Sequence, residues 1–459
     1  MPNDNAASAV IATLEAEISA GVAGTRLPSV RELMARHRVG PATVQRAIGV
    51  LAARGLVEAR PGRGTFVAAR AAAAVPDPSW QAVPLGARSI DADALEALLR
   101  PPPPGAVVLS AGYLPSDLQP TAALAAALAR AARRPGAWDR VPLAGVSGLR
   151  AYFAAGVDAD PADVLICPGG QAALAACLRG LAAPGAPVIV EAPTYLGALA
   201  AARAQGLQPV PVPVDEHGVR PDLLADALAA SGARLVYLQP LFANPHGATL
   251  APERRAAVLD AVRAAGAFLV EDDEFRDIAL GSPPPPALFQ EDRDGHVVHV
   301  RSLTKPAAPG LRIAAVIARG PAAARLRAAR IVEDLFVPGP LQEAALELVS
   351  APAWRTHLRR LQRVLRERRD ALAAAVAGHL PEARTGPPPA GGMNLWLALP
   401  PGSDDRELAQ RAATQGVLVS PGRPFFAAEA PGPFLRLTFA AEPPDRLAEG
   451  VRRLAAAYR

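Results

Sequence analysis

Apolar residues first recur at helical spacing, with Val10, Ile11, Leu14 and Ile18 falling on one side of a helix over 9–21. A turn through Gly24 leads to Leu27-Pro28-Ser29, where Ser29 followed three residues later by Glu32 has the form of a capping box that opens a second helix. Gly40-Pro41 marks another turn, and Val44, Ala47, Ile48 and Leu51 give a third helix over 42–54 one buried face before Gly55 ends it. Residues 56–59 and 65–67 read as two short strands around Pro61-Gly62-Arg63-Gly64. Three helices followed by a hairpin predict a winged helix-turn-helix over residues 1–69.

From Val107 onward the period changes. Short apolar runs at 164–167, 188–190, 235–238, 268–270, 297–300 and 314–317 predict buried strands, and Ala-rich helical stretches separate most of them. That alternation is an α/β layout with a mostly parallel sheet, assigned to 107–338. A long Arg-rich helix over 353–377 begins a smaller α+β domain, 339–459, with strands near 393–399, 417–420 and 434–439. The intervening 70–106 is rich in Ala and Pro and ends in four consecutive prolines, Pro101 to Pro104. It reads as an interdomain linker with one short helix near 91–99.

Composition narrows the class. A chain of 459 residues, 51% hydrophobic, is long enough for two or three domains with sizeable cores. No long apolar run predicts a membrane span, and the first residues lack the basic start and apolar stretch of a secretory signal. Cys167 and Cys177 are too few for a disulfide framework, which fits a reducing cytoplasm, and no metal site is assigned. Between Gly21 and Arg70 stand nine arginines against Glu32 and Glu58, a local excess larger than the net +5 of the whole chain. Such a concentration suits a polyanion, the plainer alternative being a solvated basic face. Of 48 Lys plus Arg, one is lysine, Lys305. Arginine supplies positive charge equally well but does not readily lose its proton to become a nucleophile, so this lysine is singled out.

Two constellations carry resemblances. The strings Thr25-Arg-Leu-Pro-Ser-Val-Arg-Glu-Leu, Gly40-Pro-Ala-Thr-Val-Gln-Arg-Ala and Arg60-Pro-Gly-Arg-Gly-Thr-Phe-Val, in that order, resemble the GntR family of regulators. The resemblance implies that the third helix enters the DNA major groove with Thr43, Gln45 and Arg46, that Arg31 reaches phosphate or a base edge, and that Arg63 in the wing approaches the minor groove or backbone. The alternative is that Arg31 and Arg46 pair only with neighbouring acids.

The string Ser302-Leu-Thr-Lys-Pro-Ala-Ala-Pro-Gly-Leu-Arg312, just after a predicted strand, resembles the Schiff-base motif of fold-type I aminotransferases. It implies an aldimine between Lys305 and pyridoxal 5′-phosphate, with Ser302, Thr304 and Arg312 on the phosphate. Gly170 and Gln171, in Pro168-Gly-Gly-Gln-Ala, fall at a Gly-rich helix start that suits an anion. By the same resemblance Asn244 bonds the pyridine hydroxyl, Asp272 keeps the pyridine nitrogen protonated, and Tyr195 packs near the ring. Arg436 clamps a substrate carboxylate.

The whole chain is similar to the MocR-type subfamily of GntR regulators. This implies a homodimer on double-stranded DNA, whose small amine or amino-acid effector, or the cofactor itself, shifts the geometry of the DNA-binding heads. Two positions depart from the family pattern. Glu274 stands where a tyrosine is common and is expected to point away from the site, and Arg140 replaces a tyrosine in the loop that reaches the partner's phosphate. The Glu274 departure makes weak or vestigial transaminase activity the expectation, whereas Arg140 can still bind phosphate. The competing readings are a competent aminotransferase with an accessory head, and a DNA-binding protein with a dead body.

Overall fold

The computed structural model describes residues 2–68, 77–85 and 93–458, without the side chains of 2–5 and 20. The chain divides into two compact units, Met1–Ser89 and Ile90–Arg459. Parts of the expected linker, 70–76 and 86–92, lie outside the described residues, as does residue 69; its short helix is present as Asp93–Leu99.

The first unit holds α1 (Pro2–Ala20), α2 (Val30–His37), α3 (Pro41–Ala53), β1 (Val57–Arg60) and β2 (Gly64–Val67). Val10, Leu14, Val44, Ala47 and Leu51, from the apolar stripes anticipated in the sequence, interlock in its core with Leu33 of α2. Ser29 Oγ accepts the N–H of Glu32, and the Glu32 carboxylate accepts the N–H of Ser29, completing the capping box. β1 and β2 pair antiparallel with Val57 opposite Val67. The turn between them needs its glycines: Gly62 has φ 73° and Gly64 φ 111°, and a Cβ on Gly64 would lie 3.0 Å from the Arg26 guanidinium.

In the second unit, eight strands form one sheet in the order β4-β11-β10-β9-β8-β5-β6-β7. They are β4 (Val164–Cys167), β5 (Pro187–Ala192), β6 (Gln208–Asp215), β7 (Gly218–Val219), β8 (Leu235–Leu238), β9 (Phe268–Asp272), β10 (Val297–Ser302) and β11 (Ala314–Ile317). The central pairs β10/β9, β9/β8, β8/β5 and β5/β6 are parallel, and β11 runs antiparallel to both its neighbours. Successive strand residues feed opposite cores. Ile166, Val236, Leu269 and Val297 pack on one face, and Leu165, Cys167, Tyr237, Val270 and Val298 on the other, so both faces are covered and the strands read as unbroken apolar runs. Burial raises the Cys167 thiol to about 12, so it acts as a small apolar residue.

The sequence pattern misses β6. Its Pro209, Pro211 and Pro213 argue against a strand, yet N–H groups two residues apart point to the same neighbour. Three prolines in that phase leave their missing donors on the outer side, where β7 pairs only with Val214 and Asp215.

The C-terminal layer has the helices Pro352–His379 and Pro444–Tyr458 over a four-stranded sheet, β12 (Arg384–Thr385), β13 (Asn394–Ala398), β15 (Ser420–Pro421) and β16 (Phe434–Thr438). Two expectations are corrected. The strand expected over 417–420 is split: β14 (Val417–Leu418) leaves this sheet to pair in parallel with β3 (Val107–Val108), and β15 pairs with β16. The stretch 107–118, assigned to the large domain, therefore belongs to the C-terminal layer, where Val107, Leu109, Leu114 and Leu118 pack with Leu365, Val417, Leu437 and Val451.

Candidate cofactor pocket and nucleic-acid interface

β4, β8, β9 and β10 end at one edge of the large sheet, the usual place for a ligand in an open α/β sheet. Gly170, Gln171, Tyr195, Asp272, Ser302, Thr304, Lys305 and Arg312 all line a single pocket there, joined by Tyr113, Leu174 and Glu274.

One end is built for an anion. Gly169, at φ 93°, caps the helix Gly170–Leu181, and a Cβ there would lie 2.4 Å from Arg312. Arg312 therefore lies flat against the helix start, donating to Pro168 O at 3.1 Å. Ser302 Oγ donates to Thr304 Oγ1 at 3.0 Å and accepts the Thr304 N–H at 3.1 Å. A guanidinium, two hydroxyls and a helix N-terminus thus face the same space.

The other end carries a buried carboxylate. Asp272 Oδ2 accepts from the Tyr237 hydroxyl at 2.7 Å and from Gln239 Nε2 at 3.1 Å. Burial, then the nearby Glu274 carboxylate, pushes Asp272 up to about 7. A cationic ring N–H placed opposite would relieve both effects. Tyr195 donates to Gln171 Oε1 at 3.2 Å, and Gln171 Nε2 donates to Gly197 O at 2.9 Å. The Tyr195 ring lies over Gly197, where a Cβ would come within 2.3 Å of it.

Lys305 stands between these ends. Its Nζ donates to Gly112 O at 2.7 Å, lies 4.8 Å from the Tyr113 ring centre and 5.6 Å from that of Phe275. It also lies 3.5 Å from Glu274 Oε2. Glu274 therefore points into the site, contrary to expectation, because the turn that follows β9 brings its side chain back over the strand ends.

Three expected residues stand apart from this lining. Asn244 is buried, its Oδ1 accepting from Arg436 Nη1 at 3.2 Å and from Asn394 Nδ2 at 3.5 Å. Arg436 donates to Ser110 O at 2.6 Å and Ser420 Oγ at 3.4 Å, while its Nε has no partner among the described residues. Burial lowers it to about 10. Arg140 is exposed on the stretch before the helix Ser147–Ala155 and does not line its own chain's pocket. A larger open groove, reached through Ser110, Ser420 and Phe425, contains none of the pocket's Lys305, Asp272 or Arg312.

Sequence reasoning missed Tyr237, Gln239, Gly112 and Tyr113. Tyr237 lies in an apolar strand and reads as core. Gly112-Tyr113 lies just past β3, where its meeting with Lys305 depends on the chain's return through β14.

In the first unit, Arg31, Gln45, Arg46 and Arg63 are exposed and Thr43 is half-buried on the first turn of α3. Glu15, Glu17 and Glu58 pair with Arg54, Arg36 and Arg60. Glu32 is held in the capping box. None of these four acids is tied to Arg31 or Arg63 among the described contacts.

The model of the aminotransferase class I and II family matches residues 142–454. The chain belongs to that family. Residues 6–67 match the bacterial regulatory proteins of the gntR family, so the first unit is a GntR helix-turn-helix and the fusion is of the MocR type. The chain is 35% identical over 388 residues to 2-aminoadipate transaminase of Thermus thermophilus, covering 83% of this chain and 98% of that one. It is 30% identical over 465 residues to the probable rhizopine catabolism regulatory protein MocR of Rhizobium meliloti, covering 97% and 92%. The crystal structure of LysN, the α-aminoadipate aminotransferase of Thermus thermophilus complexed with N-(5′-phosphopyridoxyl)-L-leucine, superposes with a TM-score of 0.76 at 34% identity, covering 80% of this chain and 95% of that one. The family's cofactor is pyridoxal 5′-phosphate, and the donor set fits it: an anion end, a buried carboxylate and a reactive amine in one pocket. No described helix is long and apolar enough to cross a membrane.

Proposed function

We propose that this protein is a DNA-binding transcriptional regulator that senses a small amine or amino acid through pyridoxal phosphate held on Lys305. The observation that carries the reading is the chain's single lysine, lying buried between an anion cradle and a carboxylate, in a chain that also carries a GntR head with exposed arginines. The bound cofactor supplies an aldehyde that condenses with amines and a ring that draws electrons. Gly170, Ser302, Thr304 and Arg312 hold its phosphate, Asp272 its ring nitrogen and Tyr195 its face. Gln171 fixes the Tyr195 ring, and Asn244 serves the ring hydroxyl once Arg436 turns to a ligand. Arg436 takes the effector's carboxylate, which makes the effector an amino acid. Arg31, Thr43, Gln45, Arg46 and Arg63 meet the DNA.

Exposed Trp138, Leu143, Val332 and Leu335 fit burial in a homodimer, in which Arg140 of one protomer serves its partner's phosphate. A protein that acts on DNA in this way works in the cytoplasm. Regulation requires that the effector favour one of two dimer states, with a coupling of about 1–3 kcal/mol. The second reading, a working aminotransferase, is favoured by the intact pocket and by the 35% identity to an aminoadipate transaminase.

The test is operator affinity measured for cofactor-free protein, loaded protein, and loaded protein with each of a panel of amino acids. A change on adding one amino acid is the expected result. A change confined to cofactor loading makes the vitamin the effector. No change at either step, with rapid keto-acid formation, establishes the enzyme.

A further inference from the structure

Among the charged residues that line the pocket, Lys305, Asp272 and Arg312 have tasks in the proposed function and Glu274 has none. Its side chain is 12% exposed; Oε2 faces Lys305 Nζ at 3.5 Å, and Oε1 is buried without a hydrogen-bond partner among the described residues. A carboxylate so placed is poorly screened by water, so it acts directly on the ammonium beside it. The other contacts of Lys305 Nζ given by the described residues are uncharged: the Gly112 carbonyl and the rings of Tyr113 and Phe275.

We propose that Glu274 holds the proton of Lys305. It is a positioning residue whose carboxylate faces the lysine nitrogen and keeps that nitrogen protonated once its bond to the cofactor forms. The inference rests on the assignment of pyridoxal phosphate to Lys305. The atoms balance without any further reactant. To attack, the ammonium must first release a proton, which Glu274 Oε2 accepts. The nitrogen lone pair then forms the bond to the aldehyde carbon, and the carbon–oxygen bond breaks. Two of the three ammonium protons leave with that oxygen as water, and the third ends on the doubly bonded nitrogen beside Glu274. A protonated carbon–nitrogen double bond is the more electrophilic form, so Glu274 keeps the site ready for exchange with an incoming amine.

The other charged and titratable groups facing Glu274 come from several elements. Asp272 lies on β9, Tyr237 on β8, Tyr195 after β5 and Arg436 on β16, and each interacts with it electrostatically. Tyr113 and Arg312 share the pocket. Asp272 is tied to Tyr237 and Gln239, and Arg436 to Ser110 and Asn244, which leaves Glu274 as the carboxylate that pairs with Lys305.

The experiment is a pH titration of the visible absorbance of the loaded full-length protein, comparing wild type with Glu274→Gln and Glu274→Asp. Loss of the carboxylate should lower the midpoint for deprotonation of the lysine-bound nitrogen by about 1–3 pH units, and the shorter acid should restore part of the shift. The same midpoint in wild type and Glu274→Gln, both with bound cofactor, overturns the role of Glu274 alone. If Glu274→Gln does not fold, Glu274→Ala removes the same carboxylate, and an unshifted midpoint there overturns it equally. A wild type that shows no visible band when loaded overturns the cofactor assignment beneath it.

Discussion

Arg31 and Arg63 of the GntR head stand in solvent while the acids around them are engaged elsewhere; Lys305, Asp272, Glu274 and Arg436 of the body are withdrawn from water and held by one another, by backbone or, for Asp272, by the Tyr237 and Gln239 side chains. Exposed charges contribute little to stability, roughly 0–1 kcal/mol per pair, so a surface arginine is available to a partner at little cost to the fold. Buried charges cost several kcal/mol unless satisfied. The body leaves Asp272 displaced to about 7, Arg436 pushed down to about 10 and one Glu274 oxygen without a partner among the described residues, a pattern that a ring N–H and a carboxylate ligand would answer in part. The two units thus advertise ligands differently, one by surplus at the surface and the other by imbalance inside.

The largest test of this contrast lies in the pocket. Lys305→Ala should abolish the visible chromophore and all cofactor fixed by borohydride, read by mass spectrometry of the peptides, while leaving DNA binding by the head measurable. Because the chain has no other lysine, residual fixation on a side chain would refute the site. The head offers the next effect. Arg46→Ala should weaken operator binding by about 1–3 kcal/mol and relax the sequence preference, measured by competition between operator and unrelated DNA. Wild-type affinity and preference in that variant would remove the base contact from α3.

Legibility followed the same division. The head could be read nearly whole, because its stripes, capping box and Gly-flanked wing are local signals, and Ser29, Glu32, Gly62 and Gly64 lie where that reading places them. The strands of the body were legible as apolar runs buried on both faces, and Gly170, Ser302, Lys305 and Arg312 fall at strand ends where their motifs suggest. What failed depends on distant return of the chain. The 107–118 stretch looks like the start of the large domain until β3 pairs with β14. Tyr237 looks like core until its hydroxyl meets Asp272. The direction of Glu274 follows from the turn after β9, and no periodicity reports it. β6 was hidden by prolines whose phase matters more than their number.

The smallest predicted effect is the sharpest test of the surface half of the comparison. Arg63 lies at the tip of the wing between Gly62 at φ 73° and Gly64 at φ 111°, a turn whose shape owes nothing to the arginine side chain. Its replacement by alanine should leave the fold and thermal stability unchanged. If it neutralises a phosphate, the variant should lose affinity for operator and unrelated DNA alike. The slope of log affinity against log salt should then fall in magnitude by about one, because one fewer counterion is released. A loss confined to the operator, with the slope unchanged, would instead place Arg63 on a base edge in the minor groove. No loss on either DNA would show that exposed charge in the wing is only solvated surface, and the contrast with the buried pocket would then rest on α3 alone.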